Sequence, residues 1–473
     1  MTRQELDDIF ALQTVAIIAA AGHGKTEMIV DMVEYGEGKQ LLLTHTHAGV
    51  DALQRRLDRR SIPKTKYTIS TIAAFCIRWG LAYYNTARID LSLSPYTAAA
   101  NDYYVQFYSG AKYVFLQDWS KRVVKETYTG IIVDEYQDCL QDHHEMFQVL
   151  SHHLPVRVFG DPLQGIFSFS GQKMVDWNNL GFPIVEVRTK PWRWQKVNPM
   201  LGQYLENLRA YLLPALNNQT CNLNLGNCKG SIEIKDPKKF NVNVIKEFKQ
   251  FDSVLYIAKW EYQQKTFATK MSGIFQIDES QECDDLFNYA EVFTNQHGAD
   301  LFLSVIEFEH KCATGVNKRL SSYINRLNKQ SFDFSRIDNF KEFGLLLNAT
   351  KDSNKIDAIL KILAWFERNK TFHCYRKELH AEMIRSIQYA ADHEVSILDG
   401  ARRLRRDPTL QKRYQGFKCL SSRTLLSKGL EFDCVIIDMS KPLTAKEFYV
   451  AMTRAMKKIY ILSSTSRISL SPN

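Results

Sequence analysis

No apolar run in this 473-residue chain approaches the ~18 residues that a membrane-spanning helix needs, and the opening MTRQELDDIF has no signal-peptide hydrophobic region. The expectation is a chain without a membrane span or membrane partner, located in the cytoplasm. Its nine cysteines (Cys76, Cys139, Cys221, Cys228, Cys283, Cys312, Cys374, Cys419, Cys434) include no Cys-x-x-Cys pair. Neither a disulfide framework nor a zinc ribbon is therefore expected, and reduced, mostly buried thiols are. Internal repeats and low-complexity segments are also missing, which sets aside solenoids and long disordered tracts. Acidic residues are outnumbered, 52 Asp plus Glu against 61 Lys plus Arg, for a formal charge of +9. That balance suits a polyanionic partner without requiring one.

What is present is the composition of a globular protein, 45% hydrophobic and 24% charged, in a chain too long for one ordinary core. Short Val/Ile-rich runs ending in small or acidic residues recur as TVAIIAAA (14–21), QLLLTHT (40–46), TGIIVDE (129–135) and VRVFGD (156–161). Separated by helical patterns, they predict a buried parallel sheet, whose ligands bind at the carboxyl ends of the strands. A second set, PIVEVR (183–188), SVLYIAKW (253–260), DCVIID (433–438) and KIYILSS (458–464), predicts a second α/β domain. A long helical tract with stripes such as IDAILKILAWFERN interrupts that second set, and a smaller Tyr/Phe-rich insertion interrupts the first.

The stretch AIIAAAGHGKTEMI (16–29) has the character of a phosphate-binding loop opening a helix. The backbone of Gly22, His23 and Gly24 would surround phosphate oxygens, Lys25 would meet the β and γ phosphates of ATP, and the Thr26 hydroxyl would ligate Mg²⁺. Ala19 stands where the commonest form of the motif has its first glycine. IIVDE (131–135) ends an apolar strand in two acids: Asp134 would hold Mg²⁺ through water, and Glu135 would position the attacking water. GDPLQ (160–164) presents Gln164 as a γ-phosphate sensor. Read alone, the loop is also compatible with an accidental strand-turn-helix, and the acids with an exposed strand end.

The order of these motifs resembles the superfamily 1 DNA helicases of the UvrD/Rep/PcrA group. AAAGHGKT is similar to motif I, which in that family commonly begins with Ala. LLLTHTHAGVDALQRRL (41–57) resembles motif Ia, VDEYQD (133–138) motif II, GDPLQGIFSFSG (160–171) motif III and, more loosely, TKPWRW (189–194) motif IV. SRTLLSKGLEFDCVII (422–437) resembles motif V and FYVAMTRAMKKIYIL (448–462) motif VI. The resemblance implies two RecA-like P-loop domains with parallel sheets, a small insertion in the first and a mostly helical insertion in the second. The expected divisions are 1–81 and 127–182 for the first domain with its insertion at 82–126, then 183–292 and 409–473 for the second, split at 293–408. It implies ATP with Mg²⁺ as cofactors and 3′-to-5′ movement on single-stranded DNA or tailed duplex DNA, in DNA repair or anti-phage defence.

By position, the resemblance puts Arg193 and Arg454 at the γ-phosphate, Glu431 at the nucleotide, Gln137 and Gln164 as polar couplers and Gln4 at the adenine. Single-stranded DNA would meet Thr44, Thr46 and His47, with Phe167 and Phe169 as stacking rings. Phe167 fits core packing equally well. Ser170, Leu425 and the missing motif Ia lysine depart from the family pattern on the DNA side, which favours ATP hydrolysis over strong unwinding. Both insertions are smaller than in the replication and repair helicases, and that trimmed plan resembles the helicase-like subunits of Gabija-type systems, which implies an OLD-family nuclease partner. A DNA- or nucleotide-sensing regulatory ATPase is the alternative.

Four histidines in QDHHEMFQVLSHH (141–153) fit a solvated helix better than a metal site. The basic clusters LQRRLDRR (53–60) and ARRLRRDP (401–408) fit solvated helix faces at least as well as phosphate contacts.

Overall fold

The computed structural model describes residues 1–93, 100–167, 172–187, 190–217, 220–225, 230–279, 283–406 and 417–472. The apolar runs become β1 (Thr14–Ile18), β2 (Gln40–Thr44), β4 (Gly130–Val133), β5 (Val156–Gly160) and β6 (Ile184–Glu186), and the more polar segment Tyr67–Thr71, not expected as a strand, adds β3. They form one parallel sheet in the order β3-β2-β4-β5-β1-β6. β2, β4 and β5 are buried along their whole length, as strands covered on both faces must be. Because the strands run the same way, the segments after β1, β2, β4 and β5 emerge on one edge.

β6 corrects one expectation. Its sequence reads as a strand of the second domain, yet Ala16 to Ile18 of β1 pair with Ile184 to Glu186. Composition reveals a strand but not its neighbour. Here Val185 and Val187 pack with Ile17, while Ile184 faces outward as an edge residue.

The second sheet follows β7 (Cys221–Asn224) and contains β8 (Ile232–Lys235), β9 (Val254–Ala258), β10 (Gln276–Ile277), β11 (Cys419–Arg423), β12 (Phe432–Asp438) and β13 (Ala455–Leu462). Its order is β10-β11-β9-β12-β13-β8, parallel throughout, and β14 (Arg467–Leu470) pairs antiparallel with β7. The chain therefore folds as two RecA-like α/β domains. Helices between Asp284 and Arg406 are inserted between β10 and β11 around their own core, from Cys283 and Leu286 to Ile397 and Ala401. That core begins before residue 293, because Leu286, Tyr289 and Ala290 of the Asp284–Asn295 helix already pack into it. Buried Arg376 ties the insertion to the sheet through two 2.7 Å bonds to Glu279 and a further bond to Asp285. The first domain's insertion packs Phe107, Ala111, Val114 and Phe115 of the Ala100–Phe115 helix into the first core.

The histidine run is a second correction. His143 and His144 are buried, not solvated: His144 Nδ1 lies 2.7 Å from the Tyr136 hydroxyl, and His143 Nδ1 accepts the Leu140 N–H at 3.2 Å. Burial lowers the pKa of both rings. No group of three or more His, Cys, Asp or Glu side chains able to hold a metal occurs among the described residues. Two of the four arginines of LQRRLDRR meet the neighbour helix Lys25–Tyr35: Arg56 faces Glu27 at 3.5 Å, and Arg60 pairs with Asp31 and Glu34, while Arg55 and Arg59 are exposed. None of the eight described cysteines is joined in a disulfide, and all but half-buried Cys374 are buried.

Candidate nucleotide site in the interdomain cleft

β1 ends in a loop whose Ala19 N–H donates to the Gly160 carbonyl at 3.1 Å. Ala19 is buried in the core beneath the loop, with Ile17 and Met28, so a side chain there is an asset to packing. Gly22 and Gly24 are different: their φ values are +74° and +83°, where an L side chain is strained. A Cβ on Gly22 would also lie 2.5 Å from Trp194 Cζ3 and 2.9 Å from Arg193 Cβ. The helical turn Trp192–Gln195 sits directly on the loop. Gly22→Ala is accordingly expected to lose ~1–3 kcal/mol of stability through strain and overpacking, read as a lower midpoint in denaturant unfolding.

Gly24 caps the Lys25–Tyr35 helix, whose unpaired N–H groups and positive end face the loop. Lys25 Nζ is buried, has no hydrogen-bond partner, and lies 3.8 Å from Glu135 Oε2. A desolvated ammonium without a bonded acceptor fits a polyphosphate well. Thr26 is half-buried in the first turn of the same helix, and Asp134 is buried at the end of β4. Asp134 Oδ1 accepts the Glu135 N–H at 2.8 Å. Burial and the Glu135 charge push the Asp134 carboxyl up, against the pull of Lys25. Such a carboxylate would gain from a cation, so Thr26 and Asp134 suit a hard divalent ion with oxygen ligands.

Glu135 occupies the left-handed region at φ 55°, unusual for a side chain of its size and a mark of a constrained position. Burial would raise its carboxyl, but the charges of Lys25 and Lys428 and a hydrogen bond from Gln137 hold it low. Gln137 Oε1 accepts the Asp161 N–H at 3.0 Å, and Gln164 Nε2 donates to Asp161 Oδ2 at 3.0 Å. Buried Arg209 joins this network, 3.3 Å from Asp161 and 3.2 Å from Glu186. Gln164 thus spends its side-chain amide on Asp161.

From the second domain, Arg193 donates to the Thr453 carbonyl at 2.7 Å and pairs with Glu431 at 2.7 Å. Arg454 is buried and donates to the carbonyls of Val450 at 3.0 Å and Leu430 at 3.2 Å. Burial and then the Arg193 charge pull its pKa down to about 9, with Glu135 and Glu431 opposing. Arg193, Arg454, Glu431 and Glu135 therefore share one electrostatic environment although they come from opposite sides of the cleft. The two domains also share apolar packing, since Ala21 and Leu163 join the second domain's core. The Ala21 N–H donates to the Tyr449 hydroxyl at 3.3 Å, and Trp194 Nε1 donates to the Ala455 carbonyl at 2.6 Å.

Other candidates are placed elsewhere. Gln4 is exposed and its amide is bonded to Asp8 at 2.8 Å; its helix, Arg3–Phe10, meets the Lys25–Tyr35 helix at Tyr35, the end away from the loop. The His23 ring is held between the loop and the second domain, with Nδ1 2.9 Å from the Ala21 carbonyl and Nε2 3.0 Å from Glu206. Thr44 corrects an expectation: it is 1% exposed beneath Gly49, so it offers nothing to DNA. Thr46 caps the His47–Arg59 helix and is exposed, as is His47. Phe167 is half-buried, with Lys428 Nζ 5.2 Å from its ring centroid. Phe169 and Ser170 lie outside the described residues. Trp194 and Lys428 were not legible as site residues, because nothing in PWRW or KGLEF announces a contact across a cleft.

A glycine loop after β1 and acids after β4 thus face two arginines, Arg193 and Arg454, from the second domain across one cleft. Residues 3–170, about a third of the chain, match the family model of an AAA domain. No curated protein matches the sequence. Among solved structures, the chain is similar to the arterivirus nonstructural protein 10 helicase in complex with DNA, at 11% identity and TM-score 0.36 over 97% of this chain. It spans 62% of that protein's length. The Pif1 helicase from Candida albicans is similar at 10% identity and TM-score 0.39, covering 98% of this chain and 95% of that one.

Proposed function

We infer that this chain is an ATP-driven motor on nucleic acid, a superfamily 1 helicase or translocase of the UvrD-like type. The observation that carries the reading is the convergence of Lys25, Glu135, Arg193 and Arg454 in one cleft between two RecA-like domains. Phosphoryl transfer needs positioning and charge neutralisation more than covalent chemistry, and these groups supply both. The backbone of Gly22 to Gly24 and the Lys25 ammonium hold the phosphates, Glu135 orients the water, and Arg193 and Arg454 stabilise the transferring group. Thr26 and Asp134 would hold Mg²⁺, which neutralises phosphate charge when bound. Because both arginines lie on the second-domain side, hydrolysis depends on how the cleft is closed.

Single-stranded DNA or a tailed duplex is the proposed track, met by Thr46, His47, Phe167 and Phe169. Movement from 3′ to 5′, a place in DNA repair or anti-phage defence, and an OLD-family nuclease partner rest on the motif resemblance and the small insertions. A regulatory ATPase that unwinds little is the second reading. It is favoured by the state of the cleft, where Arg193 and Glu135 already have partners within the chain.

The test combines ATP turnover, with and without oligo-dT, and strand displacement on 3′- and 5′-tailed duplexes. DNA-stimulated turnover with displacement of the 3′-tailed substrate is expected of the motor. Stimulation without displacement selects the regulatory reading, and no turnover under either condition removes both. Phe167→Ala is expected to weaken oligo-dT binding by about 1–3 kcal/mol with nucleotide affinity unchanged. An unaltered DNA affinity returns that ring to the core.

A further inference from the structure

The loop between β11 and β12, Thr424 to Glu431, crosses to the first domain and delivers one cation to it. Lys428 Nζ donates to Asp138 Oδ2 and, at 2.9 Å, to the Gln164 carbonyl; it lies 3.9 Å from Glu135 Oε2 and 5.2 Å from the Phe167 ring centroid. A single ammonium thus touches the motif that carries the hydrolytic carboxylate and the ring proposed to stack on a base. Its side chain is only 10% exposed, so these contacts are made out of bulk water. Glu135 Oε2, the oxygen nearest Lys428, is also the acceptor of Gln137 and the atom nearest Lys25. An oxygen bonded by Gln137 and flanked by two ammonium groups within 4 Å is poorly placed to orient a water molecule.

The geometry points to Lys428 as a positioning residue that restrains Glu135 until nucleic acid takes Phe167. The inference rests on the ATP-driven reading of the cleft and adds the regulation of that site. A base stacking on Phe167 competes with Lys428 for the ring face, since a cation and a base use the same π surface. Gly429, with φ +82° and open space around it, gives the loop a pivot next to Lys428. Withdrawal of the ammonium would leave Glu135 with Gln137 and Lys25, which keep it oriented. In this way occupancy of the DNA face and readiness of the carboxylate become two states of one side chain.

The experiment is steady-state ATP hydrolysis by the full chain, with and without oligo-dT, for wild type, Lys428→Met and Lys428→Arg. Lys428→Met is expected to raise the DNA-free rate about tenfold, an ordinary size for coupling between two sites, and to shrink stimulation by DNA towards none. Lys428→Arg is expected to keep both the low DNA-free rate and the stimulation. Loss of Lys428 leaves Asp138 buried without its cation, so Lys428→Met/Asp138→Asn serves as the folded counterpart and is expected to show the same raised rate. A low DNA-free rate with intact stimulation in both Met variants overturns the inference, as does an equal fall under both conditions, the mark of a purely structural pin. A wild-type chain that responds to DNA in those cases leaves the ATP-driven reading standing. A wild-type chain that hydrolyses no ATP overturns the two together.

Discussion

Replacing Lys25 with alanine is expected to abolish ATP hydrolysis while the chain stays folded. The ammonium is buried, lacks a hydrogen-bond partner and stands 3.8 Å from Glu135 Oε2, beyond hydrogen-bond reach. Keeping such a group desolvated costs stability, and the return comes when an anion meets it. Alanine removes the cost together with the anion site. The melting temperature is therefore expected to hold or rise. Turnover should fall by about 10²–10³ or more, the size of losing one preorganised transition-state donor. Titration with a fluorescent ATP analogue should show weakened binding as well, because the proposed role has Lys25 facing the nucleotide before and during reaction. Phosphate release at the wild-type rate would take Lys25 out of the site.

Glu135→Gln is expected to have a different signature: turnover lost and nucleotide binding kept. Glutamine preserves the size of the side chain and places the same backbone demand on the left-handed conformation at φ 55°. What it removes is the charge that Lys25 and Lys428 hold in its ionised form, and with it the acceptor that orients water. General-base contributions of this kind amount to about 10²–10⁴ in rate. With one carboxylate fewer near the phosphates, affinity for ATP should stay level or tighten. Single-turnover hydrolysis and analogue titration on the same preparation separate the two effects. Normal turnover in this variant would move the role of water-positioning to another group.

Much of the first domain was legible because parallel strands buried on both faces are written as unbroken apolar runs, as in IIVDE and VRVFGD. The loop was legible for a related reason: Gly22 and Gly24 answer backbone needs that only glycine meets at low strain, and Lys25 follows them at fixed spacing. β8, β10 and β11 were not legible, because segments such as Ile232–Lys235 and Cys419–Arg423 are short and half polar. β6 reads as a strand, but its pairing with β1 is a long-range choice that its composition does not carry. Thr44, expected at DNA from the motif Ia resemblance, and His143, expected on a solvated helix, are each covered by a neighbouring helix, a contact that no local pattern carries.

The chain's local chemistry thus fixed its nucleotide loop, its acidic strand end and its two-sheet character, all of which depend on neighbours within a few residues. How those parts meet was settled by folding at a distance. Trp194 on Gly22, Arg193 on Glu431 and Lys428 on Asp138 join segments separated by 172, 238 and 290 positions respectively. No periodicity or spacing encodes such contacts. They arise because two separately built sheets bury Ala21 and Leu163 in a shared interface, and the charged groups at its rim then find partners there.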